Sequence, residues 1–419
     1  MAGQYDLAVV GLGYAGLPLV VAAARSGMRV AGFDLDTARV AALARGSSYV
    51  DDVPDEEITK ALAAGFTPTT DPRVLAEARA ITICVPTPLR DGLPDLRAVV
   101  DSTELIAPRL RPGALVVLES TTYPGTTTDL LLPILARAGG KVGEDFLLAF
   151  SPERVDPGNP AFGLHNTPKV VGGVTDRCTA AATALYQRLV QKVVPVSTPA
   201  AAELTKLLEN TYRQVNIALA NEFAVHCHRL GVDVWEVVAA AGTKPFGFQS
   251  FRPGPGVGGH CIPVDPGYLA FSGRATGLPL RLTEVAQEIN DRMPTYVVDR
   301  VTRLLNDRAR SVRGTRILLL GATYKPDIAD GRGSPAVPVA ELLLALGADV
   351  RFHDPYVRTL RLGARRLTAA PSLREAVRDA ELTVLLQPHA HYDLPALADS
   401  ARLLFDTSGR AVGERVVHL

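Results

Sequence analysis

The chain has 419 residues, of which 44 are Lys or Arg and 44 are Asp or Glu, so its formal net charge is zero. This length predicts two or three domains, and the balanced charge gives no reason to expect binding to nucleic acid or to an anionic membrane. An apolar fraction of 47% and a charged fraction of 21% exclude bulk disorder. Only 7 of the 44 basic residues are lysines, which makes each lysine position unusual in this chain.

The N-terminal segment and the cysteines favour a reducing, cytoplasmic location. The first residues lack the basic segment of a signal peptide, and no apolar run approaches the ~18 residues of a membrane span. Cys84, Cys178, Cys227 and Cys261 form no CxxC pair, so no zinc knuckle is indicated. Cys227 lies between two histidines on a predicted helix, where adjacent residues face different directions, so no metal site is expected.

The first part of the chain alternates short apolar runs with helical stretches. A helix is predicted over residues 17–27, with Gly27 just beyond its last turn. This alternation predicts a doubly wound parallel sheet with right-handed crossovers. Strands are predicted at residues 7–10, 29–34, 80–85, 114–118 and 146–150.

A GxGxxG motif, GLGYAG, lies between the first predicted strand and the first predicted helix. Its three glycines suit a tight turn, a close approach of a pyrophosphate to the backbone, and close helix–strand packing. The helix N-terminus then offers free N–H groups to phosphates. An acid that ends the second strand favours NAD over NADP, because it repels a 2′-phosphate. The predicted NAD-binding residues here are Gly11, Gly13, Tyr14, Ala15, Gly16 and Asp34.

The second half of the chain predicts a long helix followed by another α/β region. Residues 200–230 contain neither Gly nor Pro, which predicts one continuous helix that could join domains or form a dimer interface. The sequence therefore predicts two Rossmann-like, doubly wound parallel-sheet domains joined by a long central helix, with domains at 1–198, 199–300 and 301–419. Within the last of these, strands are predicted at 315–321, 349–354 and 382–386, and a helix at 337–346.

A loop rich in Gly and Pro is predicted over residues 242–267, and it carries Cys261 between His260 and Asp265. A thiol held in a rigid loop favours a nucleophile, with a buried structural thiol as the alternative. A nicotinamide cofactor and a nucleophilic thiol together suit the oxidation of an alcohol to an acid through an aldehyde and a thioester. A two-electron dehydrogenase and a non-catalytic NAD-binding protein are the competing classes.

Seven motifs are spread over essentially the whole chain. They are GLGYAGLPLV from Gly11, CVPTP from Cys84, ESTTYPGTT from Glu119, SPERVDPGN from Ser151, ELTKLLENTYR from Glu203, GPGVGGHCIPVDP from Gly254 and GATYKPDIADGRGSPA from Gly321. Together they resemble the UDP-glucose/GDP-mannose dehydrogenase family. The resemblance implies an N-terminal NAD-binding domain, a central helix that forms a homodimer, and a C-terminal domain that binds a nucleotide sugar.

The resemblance also implies roles for individual residues. Cys261 would be the nucleophile, Lys206 and Asn210 would stabilise an oxyanion, Asp265 with Thr121 would activate water, and Glu153 would be an acid/base. Further contacts to the cofactor are implied for Pro86, Thr87, Ser120, Thr121 and Arg332. The implied substrate-binding residues are Glu153, Arg154, Lys206, Asn210, Phe251, Gly258 and Lys325.

Several positions depart from the family pattern. A second acid that many UDP-glucose enzymes carry is replaced by Pro157, and Gly331 and Gly333 replace a Leu and a Glu. The Cys loop and the preceding TKPFGFQSFRPGPG resemble the branch that acts on UDP-N-acetylglucosamine or UDP-N-acetylmannosamine, although Arg252 replaces a common Tyr. UDP-glucose or dTDP-glucose is the alternative substrate, and GDP-mannose is the least favoured.

Overall fold

The computed structural model describes residues 4–50, 52–156, 158–159 and 161–419. Its strands are β1 (Tyr5–Val10), β2 (Val30–Phe33), β3 (Thr67–Thr69), β4 (Ala78–Ile83), β5 (Leu89–Arg90), β6 (Leu93–Pro94), β7 (Leu115–Leu118), β8 (Leu147–Phe150), β9 (Lys169–Gly173), β10 (Val193–Val196), β11 (Arg316–Leu320), β12 (Asp349–His353), β13 (Thr359–Leu362), β14 (Arg365–Thr368), β15 (Leu382–Leu385), β16 (Leu404–Asp406) and β17 (Val416–His418).

The α-helices are α1 (Gly16–Arg25), α2 (Thr37–Ala44), α3 (Asp55–Ala63), α4 (Arg97–Ile106), α5 (Leu132–Gly139), α6 (Asp176–Tyr186), α7 (Pro199–Leu230), α8 (Val234–Gly242), α9 (Asp265–Ala275), α10 (Arg281–Asn306), α11 (Ala336–Ala345), α12 (Leu373–Asp379) and α13 (Leu394–Ser400). Short 3₁₀ segments lie at Pro72–Glu77 and Ala107–Arg109, and a π-helical segment lies at Thr126–Leu131. In the part of the chain described here, no helix has the length and apolarity that crossing a bilayer requires.

The chain divides into two compact units. The first comprises the chain up to Glu209 together with Gly267–Pro279, and the second comprises Asn210–Pro266 and Leu280–Leu419. Helix α7 is continuous and contributes residues to both units.

The first unit is built on an eight-stranded sheet in the order β10-β9-β8-β7-β4-β1-β2-β3. Strands β1, β2, β4, β7 and β8 pair in parallel and are buried almost throughout, as expected for a sheet covered by helices on both faces. Strand β9 runs antiparallel to β8, and β10 returns parallel to β9. This reversal departs from the all-parallel sheet that the sequence predicts.

The second unit is built on a five-stranded parallel sheet in the order β12-β11-β15-β16-β17. Alternate residues of β11 enter different cores, as the two-residue repeat of a strand requires. Ile317 and Leu319 pack into one core, which α10 and α11 cover, whereas Leu318 and Leu320 pack into the other, which α12 and α13 cover. The predicted doubly wound architecture of this region is confirmed.

Each of the eight strands and three helices predicted above has an observed counterpart. Helix α7 spans Pro199–Leu230, and the strands that were predicted occur within two residues of their expected ends. Cys84, Cys178 and Cys227 are buried, and Cys261 is exposed. The predicted loop ends earlier than expected, because α9 begins at Asp265. Helix α10 was not predicted, and it contains Pro294, a residue that normally interrupts a helix.

Candidate active site

The three glycines of the first loop differ in how much space surrounds them. Gly11 has φ +91°, and a Cβ there would lie 2.7 Å from the carbonyl oxygen of Cys84. A Cβ on Gly16 would lie 1.9 Å from the carbonyl oxygen of Gly11, so the helix can approach the loop only without a side chain. A Cβ on Gly13 would have no neighbour within 4 Å, which leaves that backbone open to a ligand.

Asp34 fixes this loop from the end of β2. Its Oδ2 accepts the backbone N–H of Leu12 at 2.8 Å, and its Oδ1 accepts the N–H of Asp36 at 2.9 Å. A carboxylate has about four acceptor positions, so capacity remains for ribose hydroxyls. Helix α1 begins at Gly16, and the side chain of Ala15 makes no cap hydrogen bond to its first N–H groups. These residues fit the diphosphate and ribose of a dinucleotide.

The loops that follow β4 and β7 are fastened to each other. The hydroxyl of Ser120 donates to the carbonyl oxygen of Val85 at 2.8 Å, and the Tyr268 hydroxyl donates to the carbonyl oxygen of Thr87 at 3.2 Å. Both loops lie at the carboxyl edge of the sheet, where open α/β sheets bind their ligands. The structure therefore brings together four predicted cofactor contacts, Pro86, Thr87, Ser120 and Thr121.

Lys206 and Glu153 lie together in the first unit. The Nζ of Lys206 donates to the backbone carbonyl of Glu153 at 2.6 Å, and Lys206 is only 7% exposed. The Oε1 of Glu153 accepts the backbone N–H of Val155 at 2.5 Å. Arg154 is held by a two-point ion pair with Glu209, with N–O distances of 3.1 and 2.5 Å. This grouping agrees with the expectation that Lys206, Glu153 and Arg154 belong to one site.

A buried cluster of titratable residues lies beside Glu153 and was missed in the sequence. Lys169 Nζ lies 2.7 Å from Glu119 Oε2, and the hydroxyl of Tyr186 donates to Glu119 Oε1. Burial opposes the charge on Lys169, but Glu119 and Glu153 outweigh it and raise its pKa. Burial raises the pKa of the Cys84 thiol, so this thiol stays neutral. The scarcity of lysine was the one available signal.

Glu203 connects α7 to the loop that carries Thr121. Its carboxylate accepts the backbone N–H of Gly125 at 2.7 Å, the N–H of Thr127 at 3.0 Å and the hydroxyl of Thr127 at 2.7 Å. Because Glu203 is fully buried, these donors replace the water that the carboxylate loses. Lys206, three residues further along α7, is thereby placed against the same edge of the sheet.

In the second unit, Asn210, Cys261 and Asp265 lie together. The Nδ2 of Asn210 donates to Oδ2 of the buried Asp265 at 2.5 Å, and the N–H of Asp265 donates to the carbonyl oxygen of Cys261 at 2.8 Å. The side-chain amide of Asn210 has two N–H groups, so one hydrogen bond to Asp265 leaves a second donor. The Cys261 thiol is exposed, which agrees with the predicted nucleophile rather than with a buried structural thiol.

The Cys261 loop packs closely on the segment that carries Lys325 and Arg332. A Cβ on Gly258 would lie 2.6 Å from the carbonyl oxygen of Gly333 and 2.7 Å from Cβ of Tyr324. Gly333 has φ +59° and lies against Gly259, so a side chain there would be strained, which gives the family departure at Gly333 a physical reason.

Arg332 and Lys325 are placed differently on that segment. Arg332 donates two hydrogen bonds to Asp330, from Nε to Oδ1 at 2.8 Å and from Nη2 to Oδ2 at 2.5 Å. Burial opposes ionisation of Asp330, but the hydrogen bonds from Arg332 outweigh it and lower the pKa of that carboxyl. Lys325 is half-buried, and the hydroxyl of Thr323 donates to its carbonyl oxygen at 2.8 Å.

Buried amides anchor the beginning of the Cys261 loop. Asn290 of α10 accepts a hydrogen bond from Nδ2 of Asn221 at 2.9 Å, and Oδ1 of Asn221 accepts the N–H of Gly254 at 2.9 Å. Phe251, three residues earlier, packs edge-on against Tyr212 with ring centroids 5.7 Å apart. The predicted substrate contact at Phe251 is therefore held on α7.

Two other expectations concern metals and Pro157. Within the described ranges, no three His, Cys, Asp or Glu side chains are grouped as a metal ion would require. Cys227 instead packs with Ala224, Val234 and Trp235. Pro157, the departure at the second-acid position, lies outside the described residues.

A GxGxxG loop at the carboxyl edge of a doubly wound sheet, with an acid after the second strand, defines a dinucleotide-binding protein, and the exposed thiol of Cys261 suits an oxidoreductase. Comparison with family models agrees. The NAD binding domain of the UDP-glucose/GDP-mannose dehydrogenase family matches residues 5–190, its central domain matches 200–292, and its UDP binding domain matches 318–411. The chain belongs to this family and is an NAD-dependent nucleotide-sugar 6-dehydrogenase.

Individual relatives cover nearly the whole chain. A UDP-N-acetyl-D-glucosamine 6-dehydrogenase of Pseudomonas aeruginosa is 36% identical, over 84% of this chain and 83% of that protein. A UDP-N-acetyl-D-mannosamine dehydrogenase of Escherichia coli strain K12 is 35% identical, over 92% and 94%. The solved structure of a UDP-D-ManNAc dehydrogenase from Pyrococcus horikoshii is similar with a TM-score of 0.90 and 32% identity, over 98% of each chain.

Replacing Gly13 and Gly16 by Ala separates binding from folding. We expect Gly13→Ala to retain wild-type stability but to weaken NAD binding at least about tenfold, ~1.4 kcal/mol, because only the cofactor would meet the new methyl group. We expect Gly16→Ala to lower the free energy of unfolding by about 1–3 kcal/mol, because its methyl group overlaps Gly11. Calorimetric titration with NAD and urea unfolding measure the two effects. Equal loss of stability in both variants would contradict the assignment.

Proposed function

We propose that the chain oxidises the C6 hydroxyl of a UDP-N-acetylhexosamine, UDP-N-acetylglucosamine or UDP-N-acetylmannosamine, to the carboxylate. The observation that carries this choice is that relatives with these two names share 35–36% identity with the chain over most of both sequences. The exposed Cys261 supports a full four-electron oxidation, because a two-electron dehydrogenase needs no loop thiol. The proposed location is the cytoplasm, where a free thiol stays reduced.

The proposed reaction has four steps. Two of them remove a hydride from C6, and two molecules of NAD bound in turn would supply the hydride acceptors. In the first step the hydroxyl proton passes to a base as the hydride leaves, which gives an aldehyde. The Cys261 thiolate then adds to the aldehyde carbon, and its oxygen takes up a proton, which gives a thiohemiacetal. Loss of the second hydride and of the hydroxyl proton gives a thioester. Water then attacks the thioester, which releases the carboxylate and returns the thiol.

The other residues of the chain supply charge and proton transfer. Lys206 and Asn210 would stabilise the oxygen anion that develops at C6, since both present N–H donors from α7. Asp265 with Thr121 would orient the attacking water, and Glu153 would act as the acid/base. Arg154, Phe251, Gly258 and Lys325 would bind the nucleotide sugar, and Pro86, Thr87, Ser120 and Arg332 the cofactor. The proposal includes three domains: an NAD-binding domain at 1–198, a central helical domain at 199–300 and a nucleotide-sugar-binding domain at 301–419.

We further propose that two copies of the chain associate through α7. Six large apolar side chains on this helix are between 44% and 68% exposed. At 100° per residue they fall within an arc of about 100°, so they form one apolar stripe rather than scattered positions. A symmetric dimer buries such a stripe against its own copy. The stripe consists of Leu204, Leu208, Tyr212, Leu219, Phe223 and Leu230.

A panel of sugar nucleotides tests the substrate. We expect UDP-N-acetylglucosamine or UDP-N-acetylmannosamine to give a kcat/KM at least about tenfold above that of UDP-glucose, dTDP-glucose or GDP-mannose. The reason is that a sugar without the N-acetyl group would lose the contacts that this group makes in the transition state. NADH absorbance and mass spectrometry should give two NADH for each sugar acid. One NADH and an aldehyde product would identify a two-electron dehydrogenase. NAD binding without turnover of any sugar would identify a non-catalytic protein.

Cys261→Ser tests the thioester. We expect kcat for acid formation to fall by a factor on the order of 10³ or more, because a serine hydroxyl is a weak nucleophile without an activating base. NAD binding should not change. Cys227→Ala is the matched control, since this thiol is buried in a helix contact and should leave turnover unaffected. Acid formation at an undiminished rate in Cys261→Ser would exclude the covalent route.

Leu208→Glu combined with Leu219→Glu tests the dimer. The wild-type chain should sediment with twice the mass of one chain, and the double variant with the mass of one, because two charges replace the centre of the stripe. Arg213→Glu is the control, as this residue is exposed on the opposite side of α7. A wild-type chain that is monomeric at micromolar concentration, or a double variant that remains dimeric, would refute an α7 interface.

A further inference from the structure

The reversal of β9 brings a lysine to the functional edge of the first sheet. Lys169 is the first residue of β9, which pairs antiparallel with β8 through Phe150–Gly172 and Ala149–Gly173. A strand parallel to β8 would begin at the opposite edge of the sheet. Because β9 runs backwards, its first residue lies where β7 and β8 end, beside the segments that begin with Glu119 and Ser151.

At that edge Lys169 faces two carboxylates with different surroundings. Its Nζ lies 2.7 Å from Oε2 of Glu119, which is 1% exposed, and 3.9 Å from Oε2 of Glu153, whose side chain is 21% exposed. The ring of Tyr186 lies 5.0 Å from the same ammonium, and its hydroxyl donates to Glu119. Glu119 and Tyr186 thus hold the ammonium from the buried side, and Glu153 meets it from the accessible side.

Stability alone does not account for this arrangement. Replacing a buried ion pair by apolar side chains of similar volume is often neutral or stabilising, so a fold does not need one. The cluster instead orients Glu153 from two directions, because Val155 N–H binds Oε1 at 2.5 Å while Lys169 attracts Oε2. The remaining group near the ammonium is the Cys84 thiol, which burial keeps neutral.

We propose that Lys169 is a positioning residue that acts through Glu153, holding its carboxylate in one orientation for proton transfer. The proposal rests on the function proposed above, in which Glu153 is the acid/base of the oxidation. Glu119 and Tyr186 fix the lysine and do not themselves meet the substrate.

A double-mutant cycle on the full-length enzyme tests this role. Glu119→Gln combined with Lys169→Met removes both buried charges together, so neither is left unpaired. With Glu153 present, we expect these two substitutions to lower kcat about tenfold or more, as a misplaced catalytic group does. In the Glu153→Gln enzyme, the same two substitutions should change kcat less than about twofold, because the carboxylate through which Lys169 acts is already absent and the effects are then not additive. The melting temperature and the NAD dissociation constant should stay near those of the parent enzymes.

Two further variants keep the test decisive. Tyr186→Phe is the matched control: it removes the hydroxyl that donates to Glu119 but keeps the ring beside the ammonium and the Lys169–Glu119 ion pair, so kcat should be close to wild type. Lys169→Arg keeps the charge without its compact shape and should recover part of the loss in kcat. If either Lys169 variant lowers kcat by a similar factor in the wild-type enzyme and in the Glu153→Gln enzyme, the lysine has a structural role and the proposal is overturned.

The result also separates this inference from the proposed function. If the wild-type enzyme oxidises no sugar nucleotide, the proposed function fails first. If it does and Glu153→Gln retains wild-type kcat, the acid/base role of Glu153 is wrong and the inference fails with it. If Glu153→Gln loses activity while the Lys169 variants do not, only the inference is overturned.

Discussion

The buried ion pair between Lys169 and Glu119 constrains the whole functional edge of the first unit. Removing two charges from water costs several kcal/mol per ion, and the loss of either partner would leave an uncompensated buried charge. The backbone N–H of Glu119 in turn donates to the carbonyl oxygen of Ile83 at 2.9 Å, which ties the end of β7 to the end of β4. Ser120 and Thr121, two of the proposed cofactor contacts, follow Glu119 directly in the chain. The Lys169–Glu119 ion pair therefore helps to fix their position.

Both sheets use one backbone device for different ligand loops. Asp34 at the end of β2 accepts the N–H of Leu12, and Asp354 after β12 accepts the N–H of Ala322 at 2.6 Å. Each thereby fixes the loop that follows the first strand of its sheet. In the second unit the carboxylate of Asp354 is also hydrogen-bonded to the buried His389, whose Nε2 lies 3.0 Å from Oδ2 of Asp354. The other ring nitrogen of His389, Nδ1, accepts the N–H of Asp327 at 2.9 Å. The loop after β11, which carries Lys325, is therefore held by hydrogen bonds from Asp354 and His389. It differs in this from the loop after β1, which is built from glycines.

Local pattern was enough to predict most of this molecule, because buried strands and glycine loops are set by neighbouring residues. The motif of residues 11–16, the long helix α7, five strands of the first sheet and three of the second follow from periodicity and turn chemistry. The contacts that join distant residues could not be predicted in this way. Lys169 and Glu119 are 50 residues apart, and they meet only because β9 reverses. Asn221 of α7 and Asn290 of α10 are 69 residues apart and are joined by a side-chain hydrogen bond. Helix α10 was not predicted from the sequence because Pro294 lies inside it.

The choice between lysine and arginine follows the shape of each acceptor. The chain has 44 − 7 = 37 arginines, so an ammonium at a buried position goes against its composition. Lys206 donates to one carbonyl oxygen and Lys169 contacts one oxygen of Glu119, both with almost no solvent, where the five donors of a guanidinium would be left largely unsatisfied. Arg154 is used where Glu209 presents two oxygens to its planar fork. A compact ammonium with three donors can also turn toward a new negative charge without moving its chain, which suits the roles proposed for Lys206 at a developing oxyanion and for Lys169 beside Glu153.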